Sequence, residues 1–156
     1  VQLDYATPTR FGLEYTDVDG SKKTPVMIHC ALVGSLERFM SVLIEHTAGW
    51  FPFWMAPEQV RVLTINDSVA DYAEKIKAIL DKTEINEPLE HRAIRYTVDD
   101  RNESLGKKIR EATKMKIPCV LIVGPKDAEA GEVSVRLRDS EEKVKLEKLA
   151  EYLQNL

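Results

Sequence analysis

The apolar positions of this chain change period along its length, and each change marks an element. Val1-Gln2-Leu3-Asp4-Tyr5 alternates apolar with polar residues, as a half-buried strand does. Phe11 to Thr16 and Thr24 to Ala31 predict a hairpin around Asp17-Val18-Asp19-Gly20, whose Asp-Gly pair favours a tight turn. In its second strand Val26, Ile28 and Cys30 share one face, and Met27, His29 and Ala31 share the other. After Gly34-Ser35 the period lengthens. Leu36, Phe39, Met40, Leu43 and Ile44 recur at helical spacing, which places Glu37, Arg38, Ser41 and Glu45 off the stripe expected to be buried. The segment Trp50-Phe51-Pro52-Phe53-Trp54 is then expected to be an aromatic plug at a domain junction.

From Pro57 the pattern becomes one of alternating strands and helices. Val60 to Ile65 predicts a strand, Asn66-Asp67-Ser68 supplies helix-capping residues, and Ala73, Ile76, Ile79 and Leu80 mark the inner face of a helix. Ala93 to Val98 predicts a second strand, with a loop at Asp99 to Asn102 and a helix through Met115. Cys119 to Gly124 is continuously apolar, as in a strand buried on both faces. Gly131 to Arg138 alternates Val133, Val135 and Leu137 against Glu132, Ser134, Arg136 and Arg138, predicting a half-exposed strand in a hairpin with its predecessor. Glu141 to Leu156 is expected to close the domain as a helix, with Val144, Leu146, Leu149, Leu153 and Leu156 inward. The order β-α-β-α-β-β-α predicts an α/β domain with a mixed sheet flanked by helices over 56–156, preceded by a separate region over 1–55.

Composition narrows the function classes. The 156 residues are 44% hydrophobic and 31% charged, ordinary globular material with enough length for a core. No apolar run approaches a membrane span and no signal peptide opens the chain, so a cytoplasmic location is expected. The absence of an initiator methionine suggests a piece of a longer protein. A net charge of −4 gives no support to non-specific nucleic-acid binding, so any RNA contact must rest on a local patch. Arg101, Lys107, Lys108, Arg110, Lys114 and Lys116 form such a concentration, with Glu103 and Glu111 against it. On the residues alone it reads first as a solvated helix face with pairs such as Glu103 and Lys107. Cys30 and Cys119 make no CxxC site and read as buried reduced thiols. Neither GxGxxG nor GxxxxGK[ST] is present, which weighs against a generic nucleotide-binding α/β protein.

Two residues between Pro25 and Phe39 suggest chemistry. His29 lies in an apolar strand, where a histidine is either a satisfied core residue or a ligand. Arg38 stands in the first turn of a helix, where a cation opposes the dipole unless an anion such as phosphate is held in front of it.

The run Pro25-Val26-Met27-Ile28-His29, then Ala31 and Gly34-Ser35-Leu36-Glu37-Arg38-Phe39, resembles the third motif of class II aminoacyl-tRNA synthetases in its threonyl form. Agreement extends to Val1-Gln2-Leu3-Asp4, Phe51-Pro52, Trp54-Met55-Ala56-Pro57, Gln59-Val60, Arg101-Asn102-Glu103 and Lys108-Ile109-Arg110-Glu111. The resemblance implies the end of an antiparallel catalytic domain over 1–55 and an anticodon-binding domain over 56–156. It implies that a homodimeric full-length enzyme activates threonine with ATP and Mg2+ and transfers it to threonine tRNA, with no role for DNA or membranes. It further implies His29 as one of three protein ligands of zinc, the other two lying upstream, Arg38 at the ATP, and Gln2 at the threonyl-adenylate. Asn102, Arg110, Asp127 and Arg136 match positions that bond anticodon bases, Asp127 standing where the family often has Glu. Cys30 replaces the arginine usual after the zinc histidine, and strand alternation turns it away from the face of His29. That departure keeps open a non-catalytic, tRNA-binding protein derived from a synthetase. By itself the segment is expected to be inactive in aminoacylation.

Overall fold

The computed structural model describes residues 1–86 and 91–156, and the chain divides into two compact units, Val1–Glu45 and His46–Leu156. In the first unit, β1 (Gln2–Asp4) is followed by α1 (Ala6–Arg10), β2 (Tyr15–Thr16), β3 (Lys22–Lys23), β4 (Met27–His29) and α2 (Leu36–Thr47). The Asp-Gly turn forms as expected, with Gly20 at φ +79° and its N–H on the Asp17 carbonyl at 2.9 Å. The pairing around it differs. β2 pairs with β3, whereas β4 pairs antiparallel with β1. Pro25 lies between β3 and β4, and a residue without an N–H interrupts a ladder.

Ser35 caps α2, its hydroxyl accepting the N–H of Arg38 at 3.2 Å. The stripe on α2 is present but not buried among the described residues: Leu36 is 70% exposed, Phe39 and Met40 are each 38% exposed, and no α2 residue is buried. Cys30, expected to fill apolar space, is exposed.

The second unit is built on a five-stranded sheet. Its elements are β5 (Val60–Thr64), α3 (Ala70–Leu80), the small hairpin β6 (Glu84–Asn86) and β7 (His91–Ala93), β8 (Tyr96–Asp99) and α4 (Leu105–Lys114). They continue with β9 (Cys119–Val123), α5 (Pro125–Ala130), β10 (Glu132–Arg136), β11 (Glu141–Lys145) and α6 (Leu149–Gln154). The sheet order is β11-β10-β9-β5-β8, with β8, β5 and β9 parallel and β10 and β11 antiparallel to their neighbours. β9 is buried at every position, as its apolar run requires.

Two expectations in this unit are corrected. Glu141 to Lys145 is an edge strand rather than the first turns of a helix, because pairing with β10 outweighs the modest helix preference of Glu and Lys. The hairpin is therefore β10–β11. β9 and β10 are joined through α5, which ends at Gly131 in the left-handed conformation, φ +67°.

The two faces of the sheet are covered unequally. On one, Val60, Val62, Leu121, Val133, Val135 and Val144 pack with Tyr72 and Ile76 of α3 and with Leu149 and Leu153 of α6. On the other, Leu63, Val120 and Ile122 pack with Ala112 and Ile117 at α4, and Leu105 and Ile109 close that cluster. One helix covers this face. The connector belongs to the same unit: Phe53 joins the larger core, and buried Gln59 donates to the Phe53 carbonyl at 3.0 Å and accepts the N–H of Arg95 at 2.9 Å.

Candidate nucleic-acid interface

Beside α4, over β9 and β10, the uncovered part of the sheet forms a groove of about 510 Å3, within the size range of ligand sites. Its apolar lining comes from Ile65, Leu105, Ile109 and Ile122, and its polar lining from Lys126, Asp127, Ser134, Arg136, Glu141 and Lys143. Strand alternation explains the polar side. Val133, Val135 and Val144 turn into the core, so Ser134, Arg136 and Lys143 turn the other way, where no helix covers them.

Asp127 stands on the wall of the groove at the third position of α5. Its Oδ2 accepts the Gly124 N–H at 3.1 Å, capping the helix, and its Oδ1 accepts Ser134 Oγ at 3.3 Å and Lys143 Nζ at 3.0 Å. The Asp127 residue is buried, 7% exposed. Its hydrogen bond and charge raise the Lys143 pKa, which keeps that ammonium protonated at neutral pH. Gly124 must be small here, since a Cβ would lie 2.7 Å from Ile65 Cδ1 and 3.3 Å from Asp127 Oδ2.

Arg136 is exposed and pairs across the β10–β11 ladder with Glu141 at 3.3 Å. Arg110 is exposed on the outer face of α4, away from the sheet, and is not among the residues that line the groove. Asn102 is exposed in the loop between β8 and α4, at the carboxyl ends of the parallel strands. Asp127 and Arg136 thus line one groove, Arg110 lies on the outer face of the helix that bounds it, and Asn102 lies in the loop leading into that helix.

The basic concentration is smaller than the sequence suggested. Lys108 is 1% exposed and donates to the carbonyls of Thr64 at 2.8 Å and Asp99 at 3.0 Å. Arg101 bonds Asp99 and Glu111, each at 2.6 Å, and Lys107 bonds Glu103 at 2.6 Å. Lys116 and Arg138 stand over the Trp50 ring at 5.1 and 5.5 Å. Among the described residues, Arg110 and Lys114 make no ion pair. On the opposite side of α4, a second open concavity is lined by Arg61, Arg101 and Lys114, but there Arg61 is held by Glu58 and Arg101 by two carboxylates.

Residues 59–156 match the family described as "Anticodon binding domain". The chain belongs to this family. The full 156 residues are 49% identical to the threonine–tRNA ligase of Phocaeicola vulgatus, and 155 residues are 52% identical to that of Bacteroides fragilis. These alignments cover 100% and 98% of this chain but 23% of each relative, so the chain spans about a quarter of their length. The fold is similar to a solved RNA-binding domain of threonyl-tRNA synthetase from Cryptosporidium parvum, with TM-score 0.77 and 32% identity over 99% of this chain and 37% of that one. A prolyl-tRNA synthetase from the same organism shares the fold, with TM-score 0.65 at 22% identity over 95% of this chain and 32% of that one. In this anticodon-binding domain the groove joins an apolar floor to two half-exposed cations, Arg136 paired with Glu141 and Lys143 paired with Asp127.

The first unit brings two other candidates together. Gln2 and His29 are directly opposite each other across β1 and β4, so their side chains share one face. His29 Nε2 lies 3.1 Å from Asp4 Oδ2, and hydrogen bonds from Thr7, above all, hold the Asp4 pKa well below the usual carboxylate range. Arg38 is exposed in α2, its N–H capped by the Ser35 hydroxyl. Among the described residues no three His, Cys, Asp or Glu side chains converge as metal ligands. His29 alone does not fit a closed or a catalytic zinc site, so any such site needs donors beyond the described residues. No described helix is long and apolar enough to cross a membrane.

Sequence reasoning passed over Lys143 because Glu141 to Lys145 was read as helix. It placed Ser134 on the exposed face of its strand without giving it a role. The signal for Lys143 was the strand partner: once Glu141–Lys145 pairs with β10, Ser134 faces Lys143.

Proposed function

We propose that this chain is the tRNA-reading segment of a threonine–tRNA ligase. The groove between α4 and the β10–β11 hairpin would take unstacked anticodon bases of threonine tRNA. The observation that carries this reading is the meeting of an apolar floor with outward-facing Arg136 and Lys143 on one uncovered sheet face. Flat bases suit such a floor, and donors at its edge can read base oxygens and nitrogens. Arg110 on the outer face of α4 and Asn102 in the preceding loop would add donors to the rest of the RNA, while Asp127 holds Lys143 and Ser134 in place.

In the whole protein, Gln2 and His29 on their shared face would belong to the threonine and adenylate site, and Arg38 would meet the triphosphate of ATP with its Mg2+. Zinc, completed by ligands from elsewhere, would supply an open Lewis-acid position that accepts a hydroxyl and rejects valine. His29 would contribute one nitrogen, oriented by Asp4. The work would be cytoplasmic, and the enzyme a homodimer.

Two measurements test this. Binding of threonine tRNA by the 156-residue chain should weaken about tenfold when Asn102 or Arg136 becomes Ala, with unrelated tRNAs bound less well from the outset. Equal binding of all tRNAs would sink the anticodon reading. In the full-length protein, His29→Ala and Arg38→Ala should each abolish threonine-dependent ATP–pyrophosphate exchange, and unchanged exchange would remove those roles.

A further inference from the structure

Lys143 enters the reading above only as one of two cations at the groove edge, yet its position is more specific than that. It projects from the edge strand β11 into the groove, with its side chain 56% exposed and its ammonium 3.0 Å from a carboxylate whose side chain is 10% exposed. That ammonium carries three donors and no acceptor. Asp127 takes one and leaves protons that face the groove. The same contact changes Asp127, whose Oδ1 already accepts from Ser134 and whose Oδ2 accepts from Gly124. A carboxylate that could have accepted an amino group from a base is thereby largely filled.

We infer that Lys143 determines base specificity in the groove by making its reading edge donor-rich, so that bases presenting an oxygen are chosen over bases presenting an amino group. This rests on the groove being the RNA-reading surface. Uracil O4 and guanine O6 accept from an ammonium, whereas cytosine N4 and adenine N6 at the corresponding positions donate and find no acceptor. A backbone phosphate is the poorer occupant, because Asp127 and Glu141 flank the ammonium and would repel a second anion.

The test compares the 156-residue chain with Lys143→Met and Lys143→Arg. The probes are three stem-loop RNAs: one whose loop carries UGU, complementary to a threonine codon, and two in which its G becomes A or its last U becomes C. Each swap replaces an oxygen acceptor by an amino donor. The unmodified chain should prefer UGU. Lys143→Met should cut that preference about tenfold, partly by tighter binding of the swapped loops once Asp127 Oδ1 is released, and Lys143→Arg should retain it. Equal weakening on all three loops with a shallower salt dependence would make Lys143 a phosphate contact and overturn the inference, as would no change on any loop. Arg136→Ala and Asn102→Ala, titrated alongside, separate the failures. If they too change nothing, the groove is not the RNA surface; if they weaken binding while Lys143→Met keeps the preference, only the inference about Lys143 falls.

Discussion

Lys108 donates to the backbone carbonyl of Asp99 at 3.0 Å from a position that is 1% exposed beneath α4. With its second bond, to the Thr64 carbonyl at 2.8 Å, it ties the ends of two parallel strands to the helix that bounds the groove. Lys108→Met keeps the bulk but orphans both carbonyls, a loss of about 2–4 kcal/mol by urea denaturation. The loop that carries Asn102 leaves β8 directly after Asp99, so its amides should exchange faster in the same variant.

Arg101 and Lys107 are already neutralised by neighbours, whereas Arg110 is exposed on α4 with no ion pair among the described residues. Arg110→Ala should therefore weaken tRNA binding several-fold and flatten its salt dependence by about one ion. Lys107→Ala should change affinity less than about twofold. Filter-binding titrations at three salt concentrations distinguish the two.

Asp99 ties acid stability to this same corner. The Arg101 guanidinium beside it holds its carboxyl below the usual value of 3.8, with further help from the Arg101 N–H and the Lys108 charge. A lowered folded pKa gives stability that is complete above the unfolded value and is lost as pH falls through the folded one. Asp99→Asn should be less stable at pH 7, and the gap to the parent chain should narrow below about pH 4. Melting temperatures measured between neutral and strongly acidic buffer test the sign.

The two thiols should separate cleanly. Cys30 is exposed, while Cys119 is fully buried in β9 and burial pushes its thiol up to about 12. A thiol reagent should modify one cysteine rapidly in the native chain and the second only in denaturant. Cys30→Ser should abolish the fast phase.

What the sequence revealed depended on how far each signal reached. The apolar run from Cys119 to Val123 and the stripe at Ala73, Ile76 and Leu80 carry their own period, and both formed as expected. Glu141 to Lys145 carries no such period, since Val144 is its one inward residue, and its strand state comes from β10. Lys108 was counted with its neighbours as a surface charge because composition cannot tell which side of α4 meets the sheet; its two carbonyl partners lie far from it along the chain or across a loop. Gln2 and His29 were named from separate motifs, and only the register of β1 on β4 places them face to face. The partners of Asp127 were likewise out of reach, since Ser134 and Lys143 come from two later strands.

The hairpin of β10 and β11 divides its labour residue by residue. Val133, Val135 and Val144 hold the fold, while the neighbours between them, Ser134, Arg136 and Lys143, line the groove and bury nothing in the core. On the proposed function, a change at Arg136 alters what the domain prefers while leaving the apolar core untouched. On that same proposed reading, the choice of nucleotide is retuned one strand position at a time on a scaffold whose inward residues stay the same.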